Sequence, residues 1–243
     1  MWIGIISIFP EMFNAILNYG ITSKAIKKKI ISINIWNPRN FSNYKHQKVD
    51  DRPYGGGSGM LMMFEPLKLA IAYAKLKAKK KVVVIYLSPQ GEKINQKKIY
   101  KISKYNKIIL ICGRYLGIDE RIIENEIDEE WSIGDYILTG GELAAMVIID
   151  SISRLQPGII KKKSLEEESF SNGILNHPNY TRPKSILGKN VPKILLSGHH
   201  KNIKIWKITE SLRNTIIKRP DLLKKIKLSH RQNNILKKLK SYK

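Results

Sequence analysis

IILICGRYLGIDER, residues 108–121, is the stretch that decides the fold class. Ile108–Cys112 has the length and the β-branched content of a buried parallel strand. Gly113 and Gly117 then bracket a short loop that carries Arg114 and Tyr115, and Asp119-Glu120 opens a helix with a capping residue in place. A strand running through a glycine loop into a helix is the repeating unit of an α/β layer fold.

The same alternation extends on both sides. Apolar runs at Trp2–Ile8, Ile30–Trp36 and Val82–Leu87 read as further strands. Helical spacing occupies Pro10–Lys29, Glu65–Lys80 and Ile94–Tyr105. A strand near Trp131–Leu138 and a helix from Glu142 to Leu155 complete a first domain, residues 1–160. The expected architecture is α/β, a mostly parallel sheet with helices on both faces. After Pro157-Gly158 the texture changes. KKKSLEEESFSN, residues 161–172, has neither strand character nor a long helical period, so 161–175 reads as a linker. Residues 176–243 form a small, basic, helical C-terminal domain, with helices at Lys201–Thr215, Asp221–Ile226 and His230–Tyr242.

Composition narrows the partner. The formal net charge is +24, from 35 Lys and 9 Arg against 20 acids. Lys together with abundant Ile and Asn is also the profile of an A+T-rich genome, so the total alone is a weak sign. Its placement says more. Residues 1–160 carry a net +8 and residues 161–243 a net +16, so the smaller part holds most of the excess, as a nucleic-acid-gripping unit would. The acid-rich stretch Asp119–Asp135 directs RNA elsewhere. Cys112 is the single cysteine, which excludes an internal disulfide framework and cysteine-pair zinc sites and fits a reducing cytoplasm. No run approaches the roughly 20 apolar residues of a membrane helix. MWIGIISIFPEMF at the start lacks the basic opening of a signal peptide and reads as a first strand. The phosphate-cradling patterns GxxxxGK[ST] and GxGxxG between strand and helix are missing, as is HExxH, and no metal site is expected.

Glycine-rich loops do occur at three strand ends, where open α/β sheets bind ligands. DDRPYGGGSGM, residues 50–60, reads either as a flexible hairpin or as a polar binding loop. Gly113–Gly117 is either a plain strand–turn–helix connection or a pocket wall. WSIGDYILTGGEL, residues 131–143, is either a tight turn or a set of main-chain amides able to hold an adenine edge or ribose hydroxyls.

Taken together, Asp50–Met63, Tyr86–Gly91 (YLSPQG), Gly113–Arg121, Ile127–Glu142 and Tyr180–Pro183 (YTRP) resemble the bacterial tRNA (guanine-N1)-methyltransferases of the SPOUT class. The likeness covers nearly the whole chain. It implies a trefoil-knotted α/β domain, a helical C-terminal domain, a homodimer, S-adenosylmethionine as cofactor, and tRNA as substrate, modified at the guanosine immediately 3′ of the anticodon (position 37). By motif match, the cofactor pocket comprises Tyr86, Leu87, Ser88 and Pro89; Gly113, Tyr115 and Gly117; and Ile133, Gly134, Asp135, Tyr136, Ile137, Leu138, Gly140 and Gly141. Asp50, Arg52, Gly59, Arg182, His199 and His200 are the RNA-contacting candidates. A dimer of this kind would join the linker of one chain to the cofactor loops of the other.

The chemistry needs two more groups. Guanine N1 is protonated at neutral pH, so a carboxylate must take that proton, and a cation at O6 must stabilise the charge that builds there. The resemblance assigns these roles to Glu168 and Arg154. The chain departs from the family pattern at four places: Glu168 where Asp is usual, Leu116 for Glu, Ala144 for Pro and His199 for Asn. These departures keep open an alternative, a non-catalytic or weakly active tRNA-binding protein of the same fold. A third reading is an enzyme of the same class acting on another RNA.

Overall fold

The protein is described by a computed structural model covering residues 1–79 and 81–241. The expected helix ends at Lys80 and Tyr242, and the last residue of the C-terminal domain, lie outside the described residues. The chain divides into two compact units, Met1–Ile160 and the part from Lys161 onward.

In the first unit the order is β1 (Trp2–Ile6), α1 (Asn14–Leu17), α2 (Gly20–Lys27), β2 (Ser32–Trp36), β3 (Asp50–Asp51), β4 (Leu61–Met62), α3 (Phe64–Ala78), β5 (Val83–Lys93), α4 (Gln96–Ile102), β6 (Lys107–Cys112), α5 (Glu120–Glu126), β7 (Glu129–Ser132) and α6 (Glu142–Ser153). Five strands form one sheet in the order β2-β1-β6-β5-β7, every neighbouring pair parallel. Alternate residues of each central strand feed opposite faces. Ile3, Ile5, Ile108, Leu110, Ile85 and Leu87 pack with α2, α4 and α6, whereas Ile109, Ile111, Val84 and Tyr86 pack with α3 and α5. Helices therefore cover both faces, which is why these strands are apolar at nearly every position. Fully burying each such Ile or Leu contributes roughly 1.5–3 kcal/mol.

Two expected elements of this unit differ. The helix expected over Pro10–Lys29 is split into a 3₁₀ turn, Pro10–Phe13, then α1 and α2. Tyr19 is extended and Gly20 has φ +69°, a left-handed backbone that glycine adopts without steric cost, so the chain turns there. The strand expected over Trp131–Leu138 ends at Ser132. Ser132 Oγ accepts from the Gly134 amide at 3.2 Å and donates to its carbonyl at 3.1 Å, offering the backbone a turn in place of the ladder. The DDRPYGGGSGM stretch is a hairpin, one of its two expected readings, with β3 paired antiparallel with β4.

The second unit contains α7 (Lys162–Glu166), a short hairpin of β8 (Ser185–Ile186) and β9 (Lys189–Asn190), α8 (Lys193–Leu196), α9 (His200–Lys218), α10 (Pro220–Leu223) and α11 (His230–Ser241). The stretch expected to lack structure thus holds a short helix, tightened by turns such as the Ser164 amide to the Lys161 carbonyl at 2.9 Å. Leu212 and Thr215 of α9 are fully buried, and Thr215 Oγ1 accepts from the Leu175 amide at 3.0 Å.

Candidate active-site cleft

At the C-terminal ends of β5, β6 and β7 lies a cleft of about 520 Å³. That end of a parallel sheet is where α/β folds place ligands. Tyr86, Leu87, Ser88 and Pro89 form one wall, and Gly113, Tyr115 and Gly117 a second. Ile133–Gly141 forms the third, with all but Asp135 lining the cavity. Asp135 is exposed and ion-paired with Lys93, so the turn at Ser132 carries it away from the cleft.

The walls are packed main chain to main chain. The Gly141 amide donates to the Gly113 carbonyl at 2.9 Å, and a Cβ on Gly141 would sit 2.8 Å from the Cys112 Cα. A Cβ on Gly113 would sit 2.8 Å from the Tyr86 hydroxyl. Glycine is demanded at both places by space. Burial pushes the Tyr86 phenol up to about 12, with the Glu130 charge adding to the effect. It stays protonated at any ordinary pH. Burial likewise holds the Cys112 thiol well above its usual range, so it is no nucleophile here.

Arg114 joins the second and third walls. Its Nε donates to Glu142 Oε2 at 2.8 Å, its Nη1 reaches the Thr139 carbonyl at 3.3 Å, and its guanidinium stacks 4.6 Å from the Phe9 ring centroid. Glu142 is fully buried and accepts a second bond from Ser7 Oγ at 2.7 Å. Sequence reasoning missed this network, and also Gln90, Glu120 and Glu130 on the cleft wall. The available signal was an Arg inside one glycine loop and a Glu directly after the glycines of another.

The β3–β4 hairpin docks on the second wall. Leu116 donates to the Met60 carbonyl, and the Met62 amide to that of Gly117, both at 3.0 Å. The Leu116 side chain packs where a Cβ on Gly59 would lie, 3.2 Å from its Cγ. Tyr115, left-handed at φ +61°, sits beside Asp50 and Arg39; burial and the Asp50 charge raise its phenol. Asp50, Gly59 and Tyr115 are thereby brought together. Arg52 is exposed on the same hairpin, its amide held by Asp51 Oδ1 at 2.8 Å. Arg154 caps the C-terminus of α6.

In the second unit, Glu168 is half-buried beside a pocket of about 730 Å³ that it shares with Asn176, His177, Lys204 and Lys207. Glu166 and Glu167 line the same pocket. Glu166 is exposed, and Glu167 is ion-paired with Lys207 at 3.0 Å, which lowers its carboxyl. Arg182, His199 and His200 are exposed, the last two at the start of α9. Among the described residues there is no group of three His, Cys, Asp or Glu side chains able to hold a metal, and no helix long and apolar enough to cross a membrane.

Comparison with known proteins adds the family. Residues 1–225 match the family described as tRNA (Guanine-1)-methyltransferase TrmD. A tRNA (guanine-N(1)-)-methyltransferase of Buchnera aphidicola subsp. Acyrthosiphon pisum (strain APS) is 65% identical over 224 residues, 91% of this chain and 94% of that protein. One from Baumannia cicadellinicola subsp. Homalodisca coagulata is 56% identical over 98% of this chain and 94% of its own length. One from Shewanella loihica (strain ATCC BAA-1088 / PV-4) is 52% identical over 97% of this chain and 96% of its own.

Proposed function

The chain belongs to the tRNA (guanine-1)-methyltransferase family, and from that premise we propose that it methylates guanine N1 of tRNA with S-adenosylmethionine, at the guanosine immediately 3′ of the anticodon. It is a methyltransferase that acts on tRNA. The observation that carries the cofactor assignment is the three-walled cleft closed by the Gly113–Gly141 main-chain bond.

The cleft suits an adenosyl cofactor. Its volume falls in the range of small-molecule sites, and it mixes apolar side chains (Leu87, Ile133, Leu138) with main-chain groups at the glycine turns. Because Gly113 and Gly141 carry no side chain, the second wall closes against Tyr86 and against the third. When bound, S-adenosylmethionine supplies an electrophilic methyl group. The residues of this chain do the rest. Glu168 takes the N1 proton of guanine, and the Arg154 guanidinium meets the negative charge that develops on O6. Tyr86, protonated and buried, fills the space against Gly113 and keeps the second wall in place. The contacts between walls hold the reacting groups in line, and positioning of this kind supplies much of the rate.

The basic second unit grips the RNA backbone, where Arg182, His199 and His200 stand exposed. A homodimer completes the reading. Leu143 and Val147 are one helical turn apart on α6, each about half exposed, and Ile137 is 83% exposed on the adjacent turn. A second copy would cover this apolar strip beside the cleft. Cytoplasmic residence follows from a tRNA substrate. Where three separate stretches press together at Gly113 and Gly141, we also infer the threaded chain implied by the family. The test of function is labelled methyl transfer from S-adenosylmethionine to an unmodified tRNA transcript, absent when that guanosine is replaced by adenosine. Transfer to both transcripts, or to neither, removes the proposal.

A further inference from the structure

The first wall of the cleft is an excursion within a strand. Leu87 and Glu92 of β5 both pair with Trp131 of β7, so Ser88–Gly91 is squeezed out between two positions that face one partner. Ser88, Pro89 and Gln90 then line the cavity. The width of this neck decides where those three residues stand.

On the far side of the neck, away from the cavity, lies Lys98 of α4. Its ammonium is 2.5 Å from a Glu92 carboxylate oxygen, 3.9 Å from one of Glu129, and 5.0 Å from the Trp131 ring centroid. The Lys98 side chain is only 10% exposed. Glu129 also accepts from Trp131 Nε1 at 2.9 Å and faces the Tyr105 hydroxyl at 3.5 Å. The Lys98 backbone is itself fixed, because its amide caps onto the Asn95 side chain at 3.0 Å. One cation therefore joins two anions, one on each strand that forms the neck. Without it, Glu92 and Glu129 lose the cation they share, and the buried link between the two strands of the neck is gone.

We propose that Lys98 is a positioning residue for the cofactor wall, closing the neck of the Ser88–Gly91 excursion by bridging Glu92 to Glu129 over Trp131. The proposal rests on the reading that this cleft takes S-adenosylmethionine. It assigns Lys98 to cofactor affinity and to no contact with RNA.

The test is calorimetric titration of the full-length protein with S-adenosylmethionine, alongside steady-state kinetics on tRNA. Lys98→Met keeps the length of the side chain and removes its charge. It should raise the Kd and the KM for the cofactor about ten-fold, a loss of about 1.4 kcal/mol, while kcat at saturating cofactor and tRNA affinity stay within about two-fold. Lys98→Arg should restore wild-type affinity. Glu92→Gln changes a side chain that is 72% exposed, so folding is spared, and it should raise the Kd about three-fold. A merely structural lysine would instead lower the melting temperature of Lys98→Met and leave the cofactor Kd untouched. Wild-type affinity in Lys98→Met or in Glu92→Gln overturns the proposal. Absence of binding by the wild-type protein overturns the reading of the cleft itself.

Discussion

Arg114 Nε lies 2.8 Å from Glu142 Oε2, and Glu142 has no exposed surface. The pair joins a loop after β6 to the first turn of α6, with Ser7 completing the carboxylate's shell. A buried carboxylate so enclosed is costly to orphan and costly to remove alone. Glu142→Leu should destabilise the protein by about 3 kcal/mol, because the Arg114 charge and the Ser7 hydroxyl lose their partner. The double variant Arg114→Met with Glu142→Leu should recover most of that loss in denaturant unfolding. It should still bind cofactor more weakly, since the second wall is then tied to the third by main chain alone. A double variant as unstable as the single one would contradict this.

Gly141→Ala tests the close approach directly. Its methyl would meet the Cys112 Cα at 2.8 Å, so the two walls must part and the 2.9 Å bond to the Gly113 carbonyl must lengthen. Cofactor affinity by calorimetry should fall about ten-fold or more. Gly55→Ala, on the tip of the β3–β4 hairpin where nothing lies within 4 Å, should leave cofactor affinity unchanged.

Tyr86 sets an alkaline limit on stability. Its hydroxyl is pushed up to about 12 in the folded chain, against about 10 when unfolded. Above about pH 10 the unfolded chain releases this proton and the folded chain keeps it, so the folded state binds more protons and stability falls as pH rises. The contribution is fully present below about pH 10 and is lost progressively towards about 12, some 2–3 kcal/mol in all. Tyr86→Phe should flatten that part of the stability-against-pH curve. An unchanged slope in the variant would mean that other groups carry it.

The three central strands, β1, β6 and β5, were legible because both of their faces are buried, which leaves nearly unbroken apolar runs such as Val83–Leu87 and Ile108–Cys112. The break at Gly20 was not, because the apolar spacing of Met12–Leu17 continues as if the helix did. Nor was the end of β7, where one hydroxyl, Ser132, outweighs six residues of strand-like sequence. The glycine turns at 113–117 and 133–141 were readable as loops, but their contact at Gly113–Gly141 is a product of the fold. Arg114 and Glu142 stand 28 residues apart, and Lys98 lies in an ordinary lysine-rich helix. No local pattern marks either as joined to a site. Leu116 is a different case: the departure was plain in sequence, and the structure supplies its neighbour, Gly59.

Glu168 is the proposed base. Glu168→Gln should keep cofactor and tRNA affinity and lose about 10²-fold or more in single-turnover rate. Glu168→Asp, one methylene shorter, should keep activity or raise it. Glu166→Gln should have little effect, since Glu166 is exposed. Glu167→Gln removes an ion pair to Lys207 that is about half exposed, which is worth at most about 1 kcal/mol of stability and nothing in the chemical step. A Glu168→Gln protein that turns over at the wild-type rate would place the base elsewhere.

The identity of the modified nucleoside shows which atom of the guanosine receives the methyl group. A tRNA transcript methylated by the purified protein is digested to nucleosides and resolved by chromatography with mass detection. The expected product is 1-methylguanosine, in an amount approaching one per tRNA, because proton removal by Glu168 and charge stabilisation at O6 by Arg154 activate N1 specifically. Recovery of 7-methylguanosine or a 2′-O-methylated nucleoside would contradict it, since neither product requires the N1 proton to leave.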